Sequence, residues 1–406
     1  MFPHLLLAYD FPPIGGGLSR WMAEMARHYP PQSLVVSTGQ HEGSEEVDAT
    51  FPSRIDRVAV TARRLRTIQG LLLWSRRVSR LCRSLHPGFV WCGNVKPAAY
   101  PANWARERTG VPYGIIVHGT DLLILQHQAH QSRLKRRVAR SLILPASVVV
   151  ANSRYTRDLS LTVFRELGAD RDPASVRVVP LGTDPEHFRP GVDTSAVRSR
   201  YGLGEGRWVL TVARLAVHKG IDTALEAIAL LAEEFPDLRY AVVGAGGGHG
   251  QLVQLAGKLG VEDRVRFLTR VPDQDLPALY NLAEVYLGLS RQAESMVEGF
   301  GISLVEASAC AVPVIGGRSG GIPDTIREGE TGLLVEPGNA AAAATAVRQL
   351  LADPALARRL GAGGRRAVET YFNWGRVTRD MIEIAEEISA RKSAPPRGRK
   401  SRTSDS

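Results

Sequence analysis

Short apolar runs recur along this chain, and between them lie longer stretches with apolar residues three and four apart. Runs at Leu5–Ala8, Leu34–Ser37, Val58–Val60, Phe89–Trp91, Tyr113–Val117, Val148–Val150 and Val176–Val179 predict strands. A turn-rich segment, Pro180-Leu-Gly-Thr-Asp-Pro-Glu-His-Phe-Arg-Pro190, interrupts the rhythm and reads as a linker. The pattern then restarts, with strands predicted at Trp208–Ala213, Arg239–Val243, Val265–Leu268, Val285–Leu287, Pro313–Ile315 and Gly332–Val335. Helices near Ala340–Leu351, Pro354–Thr370 and Trp374–Ala390 close the pattern. Strand–helix alternation of this kind predicts an α/β fold with parallel, doubly wound sheets. The expected domains are residues 1–185 and 186–372, followed by a final helix over 373–390 and a disordered basic tail over 391–406.

Length agrees with this division, because 406 residues are too many for one ordinary core. Cys82, Cys92 and Cys310 match no close metal-ligand spacing and read as free thiols. The opening Met-Phe-Pro-His-Leu-Leu-Leu-Ala reads as a strand and not as a signal peptide. No run is long and apolar enough to predict a membrane span. Charge is unevenly placed. Residues 1–190 hold 25 Lys+Arg and 15 Asp+Glu, whereas residues 191–390 hold 20 and 25. Residues 57–106 contain ten basic side chains and no acid. Within them Arg63–Leu85 reads as a cationic amphipathic helix, with an apolar stripe of Leu65, Ile68, Leu72, Val78, Leu81, Cys82 and Leu85. A second basic cluster stands at Arg133-Leu-Lys-Arg-Arg137. This half of the chain suits an anionic partner, either a membrane surface or a nucleic acid.

Candidate chemistry concentrates in Glu298-Gly-Phe-Gly-Ile-Ser-Leu-Val-Glu306. Gly301 suits a helix entrance, which puts Glu298 on a loop and Glu306 about a turn into the helix. The free N–H groups of Gly301 and Ile302 then make an anion site at the positive end of the helix dipole. Carboxylates on either side repel phosphate and suit the neutral hydroxyls of a sugar. A sugar nucleotide would satisfy both parts.

Other positions extend this reading. The loop Phe11-Pro-Pro-Ile-Gly-Gly-Gly-Leu18 opens a helix after the first strand, and its glycines allow close approach of a phosphate or sugar. His118 stands at the carboxyl end of a strand, in Val117-His-Gly-Thr-Asp121. Arg214 and Lys219 share one strand-end loop and could grip a pyrophosphate, one as a fork and one as a point charge. Val243-Gly-Ala-Gly-Gly-Gly-His-Gly250 does not fit the dinucleotide fingerprint, because His occupies position 249, and reads as a strand–helix turn beside the nucleotide. Asp273 could accept from a guanine edge, but capping of the following helix is the expectation. Asp273-Gln-Asp275 falls at a helix start, so no essential metal is expected.

Together with Pro313-Val-Ile-Gly-Gly and Ser319-Gly-Gly-Ile-Pro, these motifs resemble the retaining glycosyltransferases of family four, whose most specific signature is Glu-x7-Glu. The resemblance covers the chain to about Ala390. It implies the fold type called GT-B, with two Rossmann-like domains facing across a cleft and the last helix crossing back to the first domain. It implies that Gly16 and Gly17 face the donor pyrophosphate, that His118 contacts the donor sugar, and that Arg214 and Lys219 bind the diphosphate. Backbone around Val271 would meet the base. Gly244, Phe300, Gly301 and Ile302 would line the donor site, with Glu306 on the ribose and Glu298 on the sugar. Asp10-Phe-Pro-Pro and Val297-Glu-Gly-Phe-Gly are similar to the phosphatidylinositol mannosyltransferases.

The function implied is retaining transfer of a hexose such as mannose, from a GDP- or UDP-sugar to a hydroxyl of a lipid-linked or glycan acceptor. No metal or other cofactor takes part in this expectation. The expected place is the cytoplasm, peripherally at the inner face of the cell membrane. A sugar-nucleotide epimerase or glycoside phosphorylase of the same fold are competing readings. A nucleic-acid-binding protein is a third, prompted by the basic charge but without an aromatic-studded basic groove.

Overall fold

The computed structural model describes residues 3–294 and 296–393. Among them, thirteen strands form two sheets, every neighbouring pair parallel. The first sheet comprises β1 (His4–Leu7), β2 (Leu34–Gln40), β3 (Arg54–Thr61), β4 (Phe89–Cys92), β5 (Tyr113–Val117), β6 (Val148–Ala151) and β7 (Val176–Val178). Its strand order is β3-β2-β1-β4-β5-β6-β7. The second comprises β8 (Arg207–Val212), β9 (Leu238–Val243), β10 (Val265–Leu268), β11 (Ala283–Gly288), β12 (Val314–Gly317) and β13 (Gly332–Val335), ordered β10-β9-β8-β11-β12-β13. Each order reverses direction beside its first strand. A crevice opens at such a switch point, at the carboxyl ends of the strands. The loops after β1 and β4, and those after β8 and β11, border these crevices.

Apolar side chains of β1, β4, β5 and β6 are wholly buried, because helices cover both faces of a parallel sheet. The helix Trp374–Ser393 leaves the second domain and packs on the first. Its Trp374, Val377, Met381 and Ala385 join Trp21, Met25 and Tyr29 in one core cluster, which also takes in Leu210 and Tyr286 of the second domain. Ser389 donates to the Gly88 carbonyl at 2.8 Å, and Arg177 meets Glu387 at 3.1 Å. This helix continues through Ser393, so Arg391 to Ser393 are helical and not part of an irregular tail. The remainder of the basic tail lies outside the described residues. Where the chain first crosses between domains, Thr183 N donates to the Phe372 carbonyl at 2.9 Å, so the two crossings are bonded to each other.

The cationic helix differs from its expectation in two ways. Ala62–Arg66 forms a separate 3-10 turn, and the α-helix spans Ile68–Leu85. Thr67 causes the break: its hydroxyl accepts from Gly70 N at 3.1 Å and satisfies an otherwise orphan donor of the first turn. The inward face is carried by Trp74, Val78, Leu81 and Cys82, with Leu65 buried in the turn before it. Ile68 and Leu72, expected in the apolar stripe, are 81% and 39% exposed, and Leu73 joins them at the surface. Cys82, Cys92 and Cys310 are free and buried.

Candidate active site

One cavity of about 2140 Å³ lies between the domains. It is lined by His118, Gly16 and Gly17 from the first domain, and by Gly244, Val271 and the loops of Arg214 and Lys219 from the second. Glu298, Phe300, Gly301, Ile302 and Glu306 complete it, so all the sequence-predicted site residues meet in one place. A pocket for one small ligand is typically smaller; this one has room for a donor and an acceptor together.

The helix entrance is built as the sequence implies. The helix Ile302–Ala309 starts at Gly301, whose φ of 95° places it in the left-handed region. No side chain caps this entrance. Its first N–H groups therefore face the cavity with the partial positive charge of the dipole. Arg214 stands exposed on the loop after β8, and Lys219 ends the 3-10 turn that follows. Gly244, at φ 141°, carries the chain past that loop; a Cβ there would lie 2.0 Å from the Ala213 carbonyl oxygen.

The two glutamates sit in different fields. Lys219 Nζ donates to Glu298 Oε2. Burial pushes the Glu298 carboxyl up, but the Lys219 charge and hydrogen bond outweigh it and leave the group below its ordinary range. Glu306 is 3% exposed. Arg20 Nη1 donates to its Oε1 at 2.6 Å, and Tyr280 Oη donates to its Oε2 at 2.7 Å. Burial raises the Glu306 carboxyl, and these partners do not fully offset it. His218, beside Lys219, is pushed down to about 4, first by burial and then by the Lys219 charge.

From the other side, His118 Nε2 donates to the Gly93 carbonyl at 2.7 Å. With a proton on Nε2, the other ring nitrogen, Nδ1, is the one left to act as an acceptor. Trp21 and this ring pack at right angles with their centroids 5.0 Å apart, and Asp121 Oδ1 accepts from His118 N at 2.9 Å. Asp10 and Lys96 also line the cavity. Burial raises the Asp10 carboxyl against the pull of Arg66 and His118, and burial with the Lys135 charge lowers the Lys96 ammonium.

The cavity floor is a close approach of backbone to backbone. Gly299 lies against His118, and a Cβ at Gly299 would sit 2.0 Å from the His118 carbonyl oxygen. Thr120 Oγ1 donates to Val297 O at 3.3 Å across the same seam, and Arg154 meets Asp324 at 2.6 Å.

Asp273 lines the cavity and caps nothing: the 3-10 turn Asp273–Asp275 is capped by Pro272 without a side-chain bond, and the helix Leu276–Leu282 likewise lacks one. The capping expectation is thereby corrected, since the 3-10 turn leads straight into the helix and leaves Asp273 turned to the cleft. Asp275 is engaged elsewhere, accepting from Arg200 at 2.6 Å and from Tyr201 at 2.5 Å. Sequence reasoning missed Arg20 and Tyr280. Arg20 has a faint signal, a cation one turn into the helix opened by the glycine loop; Tyr280 has none.

Comparison with known proteins agrees with this geometry. Residues 195–367 match the family model described as glycosyl transferases group 1, and residues 15–187 match glycosyltransferase family 4. A GDP-mannose-dependent alpha-(1-6)-phosphatidylinositol monomannoside mannosyltransferase of Mycolicibacterium smegmatis is 34% identical over 399 residues, covering 96% of this chain and 99% of the relative. The fold is shared with a glycosyltransferase of Rickettsia africae, at TM-score 0.78 and 18% identity over 97% of this chain and 99% of the other. It is shared also with Anabaena HepE in complex with UDP-glucose, at TM-score 0.74 and 22% identity over 95% and 99%.

Proposed function

Because this chain belongs to the glycosyltransferases of group 1 and family 4, we propose that it moves mannose from GDP-mannose, with retention of configuration, to a hydroxyl of a lipid-linked acceptor. One observation carries the reading: the uncapped helix terminus, Arg214 and Lys219 share a single cavity with two glutamates held in different electrostatic settings. Arg214, Lys219 and the N–H groups at Gly301 and Ile302 bind the diphosphate and stabilise the charge that grows on it as it leaves. Glu306 accepts from the ribose hydroxyls. Glu298 and His118 Nδ1 accept from the sugar, one from each domain. Asp273 accepts from the guanine edge, and the backbone near Val271 packs on the base. The acceptor hydroxyl attacks on the face the diphosphate leaves, and its proton passes to the departing oxygen. These cations and dipoles meet the diphosphate charge without a metal.

The same reading places the enzyme at an anionic membrane surface on the cytoplasmic side. Arg76, Arg80 and Arg83 face outward from the Ile68–Leu85 helix, whose first turns expose Ile68, Leu72 and Leu73. Leu134 is exposed amid Arg133, Lys135, Arg136 and Arg137. No helix among the described residues is long and apolar enough to cross a membrane, and this surface supports peripheral contact instead.

The test supplies GDP-mannose or UDP-glucose, a phosphatidylinositol mannoside in vesicles, and a chelator. Proton NMR of the product then reads the configuration of the new bond. Transfer from GDP-mannose with an α linkage is expected. Conversion of the donor without acceptor would mean an epimerase, phosphate-dependent cleavage a phosphorylase, and dependence on added magnesium or manganese would overturn the metal-free mechanism.

A further inference from the structure

Glu306 belongs to the second domain, yet its charged partner does not. Arg20 reaches it from the Gly17–His28 helix of the first domain, across 286 positions of sequence. The guanidinium is itself held: it stands 5.3 Å over the Phe188 ring, which packs edge-on against Tyr280 at 5.6 Å. Phe188 lies in the interdomain linker. Arg20, Phe188, Tyr280 and Glu306 thus form one group drawn from both domains and the segment joining them.

We propose that Arg20 is a positioning residue for the donor nucleotide, completing the ribose site from the opposite domain by holding the Glu306 carboxylate in place across the cleft. This rests on the assignment of Glu306 to the ribose hydroxyls. Each carboxylate oxygen has two acceptor positions. Arg20 takes one on Oε1 and Tyr280 one on Oε2, which leaves one on each for the paired hydroxyls of a ribose.

The charge matters as much as the orientation. Around Glu306 stand Asp273 after β10, His187 in the linker, Tyr280, Tyr286 on β11 and Cys310 at the end of its own helix. Asp273 raises the proton affinity of Glu306, and His187 opposes it weakly. Arg20 is the permanent cation hydrogen-bonded to it among the described residues. Without Arg20, Glu306 takes up a proton at a higher pH, and a neutral carboxyl is the poorer acceptor for two hydroxyls.

The experiment measures GDP-mannose binding by calorimetry without acceptor, between about pH 5 and pH 8. The phosphates of this diester donor do not titrate there, so the profile reports the protein. Arg20→Ala is expected to weaken binding about tenfold near neutrality, with a further loss as the pH falls. Arg20→Lys should recover part of the affinity. On a Glu306→Gln background, Arg20→Ala should add almost nothing, because the residue acts through Glu306. An equal loss on both backgrounds would show that Arg20 touches the nucleotide itself and would overturn the proposal. So would wild-type affinity in a folded Arg20→Ala protein when Glu306→Gln binds weakly. Wild-type affinity in Glu306→Gln would instead sink the ribose assignment beneath it.

Discussion

Facing each other across the cleft, the two domains differ in how closely their loops are held. The second offers carboxylates already joined to cations, Glu298 to Lys219 within the domain and Glu306 to Arg20 across it. Its loops are crowded: a Cβ at Gly320 or Gly321 would meet the carbonyl oxygens of Glu298 or Gly299 at 2.2 and 2.0 Å. In the first domain, Arg66 and Lys96 line the cavity without an ion pair among the described residues, as Arg214 does in the second, and Gly15, Gly16 and Gly17 have open space around them. Both domains use the same strand order around their switch points, the second domain's wall tightly determined and the first domain's wall left loose. A tight wall suits a ligand that never varies, as the nucleotide diphosphate of the proposed donor would be. A loose one suits an acceptor that must enter, react and leave.

The sharpest break in this contrast is Gly299→Ala. The added carbon collides with the His118 carbonyl and separates the catalytic walls, so kcat/KM should fall by about a hundredfold. GDP binding to the second domain should change far less. Loss of both together would mean that the tight wall depends on the loose one. Next is Lys219→Ala, which removes the proposed diphosphate contact and the partner of Glu298, for a loss of about 1.5–3 kcal/mol in transition-state binding measured from kcat/KM. The same variant has a pH signature. Wild-type Glu298 lies below its ordinary range, so it contributes stability above its unfolded pKa and loses that contribution as pH falls through the folded value. Without Lys219, burial is opposed only by His218 and the Phe300 backbone N–H, so the carboxyl rises and that contribution shrinks. Tm followed from about pH 7 to pH 4 should drop further in wild type than in Lys219→Ala.

Separating the two glutamates should produce a smaller but more telling difference. Glu306→Gln should weaken free GDP. Glu298→Gln should leave GDP alone and lower turnover of the sugar donor. Equal loss of GDP in both would erase the division of roles. On the loose side, replacing Arg76, Arg80 and Arg83 with Gln should weaken binding to anionic vesicles by about 1 kcal/mol per residue at low salt, with GDP-mannose affinity unchanged in a titration. Arg77 is left out because its Nε donates to Asp56 at 2.9 Å, so its loss would disturb packing as well as charge. Wild type that ignores such vesicles would remove the membrane from the account. The smallest effect belongs to Gly17→Ala. Its Tm should match wild type, since the Cβ meets no protein atom, while donor affinity falls modestly if a pyrophosphate approaches that backbone.

Much of this architecture was legible because parallel strands leave a local trace, an apolar run followed by a helical stretch. Glu298 and Glu306 were legible for a related reason: the helix entrance at Gly301 fixes their separation locally. Arg20 was not, because its meaning depends on a partner 286 residues away and on the approach of two domains. Nothing in the neighbourhood of Tyr280 distinguishes it from an ordinary buried tyrosine. The exposed start of the Ile68–Leu85 helix was misread for another reason. Periodicity marks an apolar face, but which turns of it find a neighbour is settled by Thr67 and the turn before it.

The bonded crossings at Thr183 and Phe372, and the helix that returns from them, make the second domain an insertion within the first. Strand β1 and the far end of the Trp374–Ser393 helix are both anchored in the first domain, the latter through Ser389 on Gly88. In mechanical terms the second domain hangs off the load path. Tension applied between β1 and that helix would be carried by the first sheet and its covering helices, and the second domain would feel it only after the crossings had parted.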